Sequence, residues 1–294
     1  MHLQPRRRGG ELEVGRGQRL HGVAQHAAAR PVLGQELAQR RVERLVEQAQ
    51  ALAASAPDVV ALQEVTERTW PAWAAALGRI GLRAAICSLE RAEPARQPAA
   101  RRRTGVVLAA REPLEGADRL PVPWPETALA ARAGGVTVHF VHVPNAANGW
   151  VKIETLHAVR DGLAAGEGPR VLCGDLNTPR RELPDGTVVS FARDSRARLR
   201  EERGAAWDEG ELGVVPGLRD LGFADAFRAL HGYERREPSW TWRTIAGHDG
   251  GYRLDHVFAS PELEPLAARY HHDWRDGGLS DHAALEVELA GRGG

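Results

Sequence analysis

The sequence predicts an α/β fold in which stacked sheets are flanked by helices, and three observations support this class. Short apolar runs with the composition of buried strands recur along the chain, bounded by Gly, Pro, Asp or Asn. Helical patterns lie between several of these runs. A length of 294 residues with 43% hydrophobic content fits one large domain or two small ones and is ample for a buried core. The alternation of strands and helices indicates a single α/β domain.

An amphipathic helix followed by a buried strand opens the regular part of the chain. Between Gln35 and Leu52, apolar residues recur at helical spacing among Glu, Gln and Arg, which predicts a helix with one apolar face. Pro57 interrupts this pattern, and the apolar run 59–62 that follows is typical of a strand buried on both faces. Glu64 comes at the end of that predicted strand.

Later apolar runs predict five more strands, with two helical patterns between them. The runs cover residues 106–109, 136–143, 170–173, 254–259 and 285–289, and the helical patterns cover 153–163 and 221–230. Two polar stretches, 91–103 and 180–216, have the composition of surface loops, and the second is predicted to carry a short helix.

Charge and cysteine content narrow the functional class. The 39 basic and 39 acidic residues cancel, so the chain lacks the overall positive field of a dedicated nucleic-acid binder, although a local basic groove stays compatible. Cys87 and Cys173 are too few for a disulfide framework, which favours a reducing compartment. No apolar stretch reaches the roughly 20 residues of a membrane span, and no signal-peptide core is present. We expect a cytoplasmic protein with no membrane span, and the sequence predicts no protein partner.

Polar side chains cluster at the ends of the predicted strands, where a rigid sheet can hold them and an open edge admits a substrate. The motifs are LQEV at 62–65, HVPN at 142–145, GDLN at 174–177, RLDH at 253–256 and SDH at 280–282. They supply the carboxylates Glu64, Asp175, Asp255 and Asp281, the amides Asn145 and Asn177, and the imidazoles His142 and His282. Hard oxygen ligands without paired thiolates suit Mg²⁺ or Mn²⁺ better than structural zinc. Such an ion can neutralise a phosphate oxygen while a carboxylate orients water, which indicates phosphoester hydrolysis.

The ordered set LQEV, HVPN, GDLN, RLDHVF and SDH resembles the endonuclease/exonuclease/phosphatase superfamily. This superfamily includes apurinic/apyrimidinic endonucleases, deoxyribonuclease I, sphingomyelinases and inositol-polyphosphate phosphatases. The resemblance covers residues 58–289, and segments 143–146, 222–228, 240–242 and 253–255 are most similar to the apurinic/apyrimidinic endonuclease branch. It implies a four-layered α/β sandwich, with two mixed β-sheets packed face to face and flanked by helices.

The resemblance also implies how the site binds metal and phosphate. Glu64 would be a ligand of the catalytic Mg²⁺ or Mn²⁺, and Asp281 would lie on the metal side of the site. Asn177 would help to place both the attacking water and the phosphate. Asn145 would contact the phosphate side as well.

Four further residues would carry the chemistry. Asp175 would align and deprotonate the attacking water. His282 would donate to a phosphoryl oxygen and be oriented by Asp255, since an imidazole bonded to a carboxylate keeps one tautomer and favours its protonated form. His142 would act as an acid or as a donor to the phosphate.

Two departures from the family pattern bear on function. The endonuclease branch commonly has Tyr where this chain has His142, so the substrate does not follow from the resemblance. The family also opens with a strand that ends in Trp-Asn, whereas no Asn precedes Asn145 and no Trp precedes Trp70. Because residues 1–30 lack a clear strand or helix pattern, we treat them as an atypical N-terminal segment, either disordered or mistranslated. Residues 31–290 form the predicted catalytic domain.

Four other features receive mostly structural interpretations. His256 should face away from Asp255, because adjacent strand residues point to opposite faces. The same alternation argues against a metal site in the sequence His271-His272-Asp273. The run 101–103 of three arginines is interpreted as a solvated loop. Trp240 and Trp242 would share a face if extended, where they could stack on a base or fill the core.

The sequence therefore predicts a Mg²⁺- or Mn²⁺-dependent phosphoesterase that cleaves a phosphodiester, with nuclease activity and DNA as a candidate substrate. Two alternatives stay open. A small-molecule or lipid phosphatase or phosphodiesterase would share every catalytic residue, and the neutral net charge favours it. A non-catalytic binding protein of the same fold, with an incomplete metal site, is favoured by the missing first motif.

Overall fold

The computed structural model describes residues 5–8, 11–14, 18–23, 34–90, 103–116, 119–243 and 249–292, with backbone only before residue 43 and at 242, 243 and 249. The helices are α1 (Gly34–Ser55), α2 (Trp70–Arg79), α3 (Val151–Ala165), α4 (Gly204–Leu212), α5 (Ala226–His231) and α6 (His272–Asp276). The first nine strands are β1 (Pro5–Arg8), β2 (Glu11–Val14), β3 (Gln18–Val23), β4 (Val59–Val65), β5 (Ala84–Cys87), β6 (Gly105–Ala110), β7 (Glu115–Gly116), β8 (Ala128–Ala133) and β9 (Val136–Val141). The others are β10 (Arg170–Asp175), β11 (Arg181–Glu182), β12 (Val188–Val189), β13 (Ala224–Asp225), β14 (Trp240–Arg243), β15 (Asp249–Tyr252), β16 (Asp255–Ala259), β17 (Leu263–His271) and β18 (Ala284–Gly291).

Two mixed sheets dominate the structure. The first has the order β3-β4-β6-β5, with β3 parallel to β4, and the antiparallel hairpin of β17 and β18 lies beside β3. The second has the order β13-β16-β10-β9-β8-β7, in which β9 and β10 are parallel and the other pairs are antiparallel. Within the described residues, no helix is long and apolar enough to cross a membrane.

Three buried apolar clusters separate four layers. Val59 and Ala61 of β4 belong to the central cluster, which is made of residues from both sheets. Val60 and Leu62 face the other way and pack with residues of α1 and α2. On the second sheet, Leu172 likewise points outward into a cluster that includes residues of α3. This alternation confirms the predicted four-layered α/β sandwich, with its two sheets face to face between helices.

Most of the predicted elements occur, but the helical pattern 221–230 is wrong in its first half. The helix α5 begins only at Ala226. Gly222 has a left-handed φ of 80°, and residues 224–225 pair with β16 instead. The carboxylate of Asp225 accepts a hydrogen bond from the backbone N of Arg228 at 3.2 Å, so it caps the helix and sets its start.

The N-terminal segment contains strands although its sequence lacks a clear strand pattern. Residues 20–23 of β3 pair in parallel with 59–62 of β4, whose other side pairs with β6. A buried central strand needs partners on both sides for its backbone groups, which gives a physical reason for β3 to lie there. The strand ends at Val23 without a Trp-Asn pair. Of the atypical segment 1–30, residues 1–4, 9–10, 15–17 and 24–30 lie outside the described residues.

A buried ion network ties the second sheet to the loop that follows β10. Glu182 accepts from Arg253 Nη2 at 2.7 Å and from Arg228 Nη2 at 2.6 Å. Arg253 Nη2 also donates to Asp225 at 2.6 Å. Burial by itself would raise the pKa of Glu182, but the charges and hydrogen bonds of Arg253 and Arg228 outweigh it and lower that pKa to about 2.

We expect Glu182→Gln to lower the free energy of unfolding at pH 7 by about 3–5 kcal/mol, because it leaves buried arginines without their counter-charge. Glu182 has a lower pKa in the folded chain than its ordinary 4.5, so its stabilisation is complete above that pH. The stabilisation is lost as the pH falls from 4.5 through about 2. Urea unfolding followed by tryptophan fluorescence should therefore show a gap between variant and wild type that narrows over this range. Glu167→Gln, at an exposed site, is the matched control, and a gap independent of pH would contradict the assignment.

Candidate active site

Several strand ends meet at one edge of the sandwich and bring the polar motifs together. Asp175 is the last residue of β10, and β9, which runs parallel to β10, ends just before His142. The first residue of β16, Asp255, pairs directly with Asp175 because β16 is antiparallel to β10. Glu64 is the next-to-last residue of β4, and His282 lies two residues before β18, so both are next to strands on the side of the first sheet. Both sheets therefore contribute to this edge.

The alternation of the strands turns the key side chains toward the space between the sheets. Asp175 has the same orientation as Val171 and Cys173, which lie in the central cluster. Asp255 likewise shares its strand face with Val257, which also belongs to that cluster. Because this space is lined by apolar residues, both carboxylates are desolvated, which disfavours their charged forms.

Glu64 departs from regular strand geometry. Its φ is +59°, in the left-handed region, and the pairing of β4 with β6 shifts between Leu62 and Val65. Such a conformation is unfavourable for a residue other than glycine and is concentrated at functional sites. It presents Glu64 Oε1 at 4.0 Å from His142 Nε2.

Both carboxylate oxygens of Asp175 accept hydrogen bonds from Asn177, two residues later in the chain. Its Oδ1 accepts from the backbone N of Asn177 at 2.7 Å, and its Oδ2 accepts from Asn177 Nδ2 at 3.1 Å. Its Oδ2 is also 3.8 Å from His142 Nε2. Burial, followed by the negative charge of Asp255, raises the pKa of Asp175 to about 7. A carboxyl with that pKa can gain and lose a proton near neutral pH, as a general base must.

Asp255 and His282 form a close charged pair. His282 Nδ1 is 2.6 Å from Asp255 Oδ2, and both side chains are largely buried. Burial disfavours the imidazolium, but the carboxylate of Asp255 outweighs it and raises the pKa of His282 to about 10. In return, although burial acts to raise it, His282 keeps the pKa of Asp255 below its usual value. The site therefore holds a fixed imidazolium beside Asp175, whose charge also helps to raise the pKa of His282.

Sequence reasoning missed Gln63, a side chain of the first sheet that bonds to both aspartates' strands in the second sheet. Its Oε1 accepts from the backbone N of Asp175 at 3.2 Å, and its Nε2 donates to Asp255 Oδ1 at 3.4 Å. Gln63 is buried and precedes Glu64 in the motif LQEV, so its sequence position was a usable signal. Ser239 was also missed, and its Oγ accepts from the backbone N of Asp255 at 3.1 Å.

A second missed feature is the buried pair of Lys152 and Glu211, which holds the loop after Asp175. Lys152 Nζ donates to Asn177 O at 2.8 Å and to Glu211 Oε1 at 2.6 Å, and both side chains are fully buried. Glu211 also accepts from Thr178 Oγ1 at 2.8 Å and from the backbone N of Phe191 at 2.7 Å. The signal in the sequence was that Lys152 is the only lysine of the chain.

Asn145 and Asp281 have different positions relative to the other predicted site residues. Asn145 Oδ1 accepts from the backbone N of Ala147 at 3.1 Å and from Asn148 Nδ2 at 2.9 Å, so it caps its own turn. No hydrogen bond within the described residues joins Asn145 to the other predicted site residues. Asp281 lies close enough to His282 for its charge to contribute to the raised pKa of that imidazole.

The carboxylates near this edge fit a hard divalent cation by their chemistry. Glu64 and Asp281 offer oxygen donors, which Mg²⁺ and Mn²⁺ prefer, and no thiolate competes for the ion. Among the described residues, however, no group of three or more His, Cys, Asp or Glu side chains is close enough together to bind a metal ion. The oxygen donors Glu64 and Asp281 are therefore chemically suited to a divalent ion, but these side chains by themselves do not form a complete coordination site.

The features interpreted as structural have their own partners. His256 faces away from the site, with Nε2 2.9 Å from Thr178 O. His271 Nε2 lies 2.8 Å from Glu286, whereas His272 binds Glu237, so the two histidines serve different carboxylates.

Two further features are only partly described. Arg103 pairs with Glu67 at 2.6 Å, and Arg101 and Arg102 lie outside the described residues. Trp240 stacks on Tyr252 with ring centroids 5.9 Å apart, and the side chain of Trp242 lies outside the described residues.

Comparison with solved structures shows the same fold in proteins of low sequence identity. An AP endonuclease from Archaeoglobus fulgidus is 20% identical, with a TM-score of 0.61 over 92% of this chain and 98% of that chain. An endonuclease/exonuclease/phosphatase from Beutenbergia cavernae is 19% identical, with a TM-score of 0.61 over 95% of this chain and 72% of that chain. A humanized TDP2 from D. rerio is 15% identical, with a TM-score of 0.55 over 93% of this chain and 98% of that chain.

Sequence comparison identifies the family. No curated protein matches the chain. The model of the Endonuclease/Exonuclease/phosphatase family matches residues 32–282, which is most of the sequence. This match confirms the resemblance inferred from the ordered motifs. The chain therefore belongs to the Endonuclease/Exonuclease/phosphatase family, a family of phosphoester hydrolases.

Proposed function

We propose that this protein hydrolyses a phosphodiester as a Mg²⁺- or Mn²⁺-dependent nuclease. The observation that carries the proposal is the pairing of a base and a cation at one buried edge. Asp175 has a pKa raised to about 7, and the imidazolium of His282 is held by Asp255 at 2.6 Å. A general base beside a fixed positive donor is the arrangement that in-line attack of water on a phosphoester requires.

In the proposed reaction, Asp175 takes a proton from the attacking water. Both oxygens of Asp175 accept hydrogen bonds from Asn177, which keeps the carboxylate in one orientation. The oxygen of the water then bonds to phosphorus as the bond from phosphorus to the ester oxygen breaks. The leaving oxygen takes up a proton from His142 or from solvent, which yields an alcohol and a phosphomonoester.

His282 stabilises the negative charge that builds up on the phosphoryl oxygens. Its Nδ1 is engaged by Asp255, so the second proton of the imidazolium is on Nε2, the nitrogen that can donate to the phosphate. We assign to His142, whose Nε2 is 4.0 Å from Glu64 Oε1 and 3.8 Å from Asp175 Oδ2, the donation of a hydrogen bond or proton to the phosphate or to the leaving oxygen. Asn145, three residues after His142, would contact the phosphate from the turn that it caps.

Glu64 and Asp281 are the residues that would hold the divalent ion. When bound, the ion supplies positive charge that neutralises phosphate oxygens. The strained backbone of Glu64 supports this role, because it directs the carboxylate toward His142 and Asp175.

A nucleic-acid substrate is supported by the similarity to an AP endonuclease from Archaeoglobus fulgidus. A small or lipid phosphate is the second candidate, and the zero net charge favours it. A panel of phosphoesters, including abasic and intact DNA, assayed with Mg²⁺, with Mn²⁺ and with a chelator tests both. Absence of turnover on every ester would instead favour a binding protein of the same fold.

Asp175→Asn should lower kcat by about 10²-fold or more, because an amide cannot accept the proton of the attacking water. The variant keeps the size of the side chain and one oxygen acceptor for Asn177. Circular dichroism should therefore show an intact fold. Turnover equal to that of the wild type would remove Asp175 from the reaction.

His282→Ala and Asp255→Ala should each reduce kcat strongly, and the double variant should be little worse than either single variant. The expectation follows from their direct contact, since residues that act as one unit give non-additive losses. Steady-state kinetics of the four proteins measures the coupling. Strictly multiplicative losses would show that the two side chains act independently.

Activity should require a hard divalent cation, and Glu64→Gln should raise the metal concentration for half activity, because an amide is a weaker ligand than a carboxylate. The measurement is turnover across Mg²⁺ and Mn²⁺ titrations after exhaustive chelation. Glu67→Gln, three residues away and largely exposed, is the matched control. Full activity of the chelated protein, or an unshifted titration for Glu64→Gln, would refute the role.

A further inference from the structure

A cleft of about 450 Å³ is lined by segments that adjoin the candidate active site in the sequence. Its walls come mainly from residues 179–184, 233–238 and 251–253. The first segment begins just after Asn177, the second ends just before Ser239, and the third ends just before Asp255. Because each segment is joined to a site residue by a few bonds of backbone, a remote part of a substrate held at Asp175 and His282 is a candidate ligand of the cleft.

The lining of the cleft is strongly basic. It contains six arginines, Arg180, Arg181, Arg228, Arg235, Arg236 and Arg253, against only three glutamates. This excess is local, because the chain as a whole has no net charge. A concave surface with one dominant sign of charge concentrates ligands of the opposite sign.

Three of these arginines are already engaged by carboxylates. Arg228 and Arg253 share Glu182, and Arg253 also contacts Asp225, so the floor of the cleft is fixed and electrically balanced. Arg235 pairs with Glu237 at 2.8 Å.

Arg180, Arg181 and Arg236, which we call the rim arginines, are not paired with a carboxylate among the described residues. Arg181 and Arg236 are exposed, and no hydrogen bond or ion pair to another described residue engages either guanidinium. Arg180 uses Nη1 to donate to Arg193 O at 3.0 Å, which leaves its charge without a carboxylate partner among the described residues. The positive charge left over in the cleft thus resides in these three rim arginines and is opposed by one exposed carboxylate of the lining, Glu234.

We propose that this cleft binds a second phosphate group of the substrate, distinct from the phosphate that is hydrolysed. Arg181 and Arg236 would bind it, with Arg180 adding charge. Guanidinium groups match phosphate in geometry as well as charge, since two N–H donors can bind two phosphate oxygens. This inference rests on the proposed function, because the ligand is a remote part of the same substrate.

The second phosphate could come from two sources with the same chemistry: the next phosphodiester of a nucleic-acid strand, or a phosphate on an inositol ring. Two comparisons, called the nucleotide pair and the inositol pair, distinguish them. In the nucleotide pair, the dinucleotide TpT is compared in turn with its 5′-phosphorylated form and with its 3′-phosphorylated form. Glycerophosphoinositol is compared with glycerophosphoinositol 4-phosphate. Within each pair, the hydrolysed diester is the same and only the remote phosphate differs.

The quantity to measure is the ratio of kcat/KM with the remote phosphate to kcat/KM without it. We expect this ratio to fall about tenfold or more in Arg181→Gln and in Arg236→Gln, the size of a lost hydrogen bond to a charged group. With a single-stranded oligonucleotide, the slope of log kcat/KM against log salt should also flatten by about 0.7 for each arginine removed. Arg132→Gln, an exposed arginine of β8 at the opposite edge of the second sheet, is the matched control and should leave the ratio unchanged.

The outcomes separate the inference from the function it rests on. A ratio that falls only for the nucleotide pair supports a nucleic-acid strand, and one that falls only for the inositol pair supports an inositol phosphate. A ratio near that of the wild type in both variants and both pairs would overturn the proposal. If the wild type hydrolyses none of these esters, the proposed function fails. In that case, calorimetry gives the Kd of each compound with and without the remote phosphate. The ratio of these two Kd values, compared between wild type and variants, still decides whether the cleft binds the remote phosphate.

Discussion

The packing of two sheets against one another governs where every polar group of the site points. Each central strand must supply apolar side chains to two different layers, so its residues alternate between them. At the edge where the strands end, the inward positions are no longer apolar: they are Gln63, Asp175 and Asp255. The core thus continues into a site whose polar side chains are themselves largely buried. This position is what makes the charges there interact strongly.

Burial at that edge sets the acid and base properties of the site. Two carboxylates at paired positions, Asp175 and Asp255, cannot both be stabilised equally as anions in a desolvated space. His282 resolves the conflict by pairing with Asp255, which keeps Asp255 charged, while the pKa of Asp175 is raised. Gln63 contacts both partners of this arrangement and donates to Asp255 from the opposite sheet. The division of roles between the two aspartates therefore follows from their contacts and not from their identity.

Rigid support of the loop after β10 links the core to the substrate side. Lys152 holds the backbone of Asn177 and Glu211 holds the side chain of Thr178, and the network around Glu182 holds the loop a few residues later. Both supports are buried ion pairs, which cost much to break and so keep the loop in one arrangement. Because the loop is fixed at both points, it holds Asn177 against Asp175. The same loop also forms one wall of the basic cleft.

The amino-acid sequence alone was enough to predict the layered α/β class, the main strands, and the order of the motifs proposed to carry the chemistry. Apolar periodicity is a local property, so it predicted α1 and the buried strand β4 directly. The family's motifs likewise predicted Asp175, Asp255 and His282 as one group, and the structure brings these three side chains close together. Their catalytic roles stay predictions.

The contacts that depend on which strands lie side by side could be identified only from the folded chain. Gln63 reaches Asp255 across 192 positions of sequence, and Lys152 meets Glu211 across 59, separations at which no periodicity carries information. The late start of α5 depends on the pairing of β13 with β16, which overrides a helical pattern. The pKa of Asp175 and the excess charge of the cleft are also set by burial and by neighbours from distant segments. These properties arise from long-range packing, whereas local residue patterns decide only which elements form.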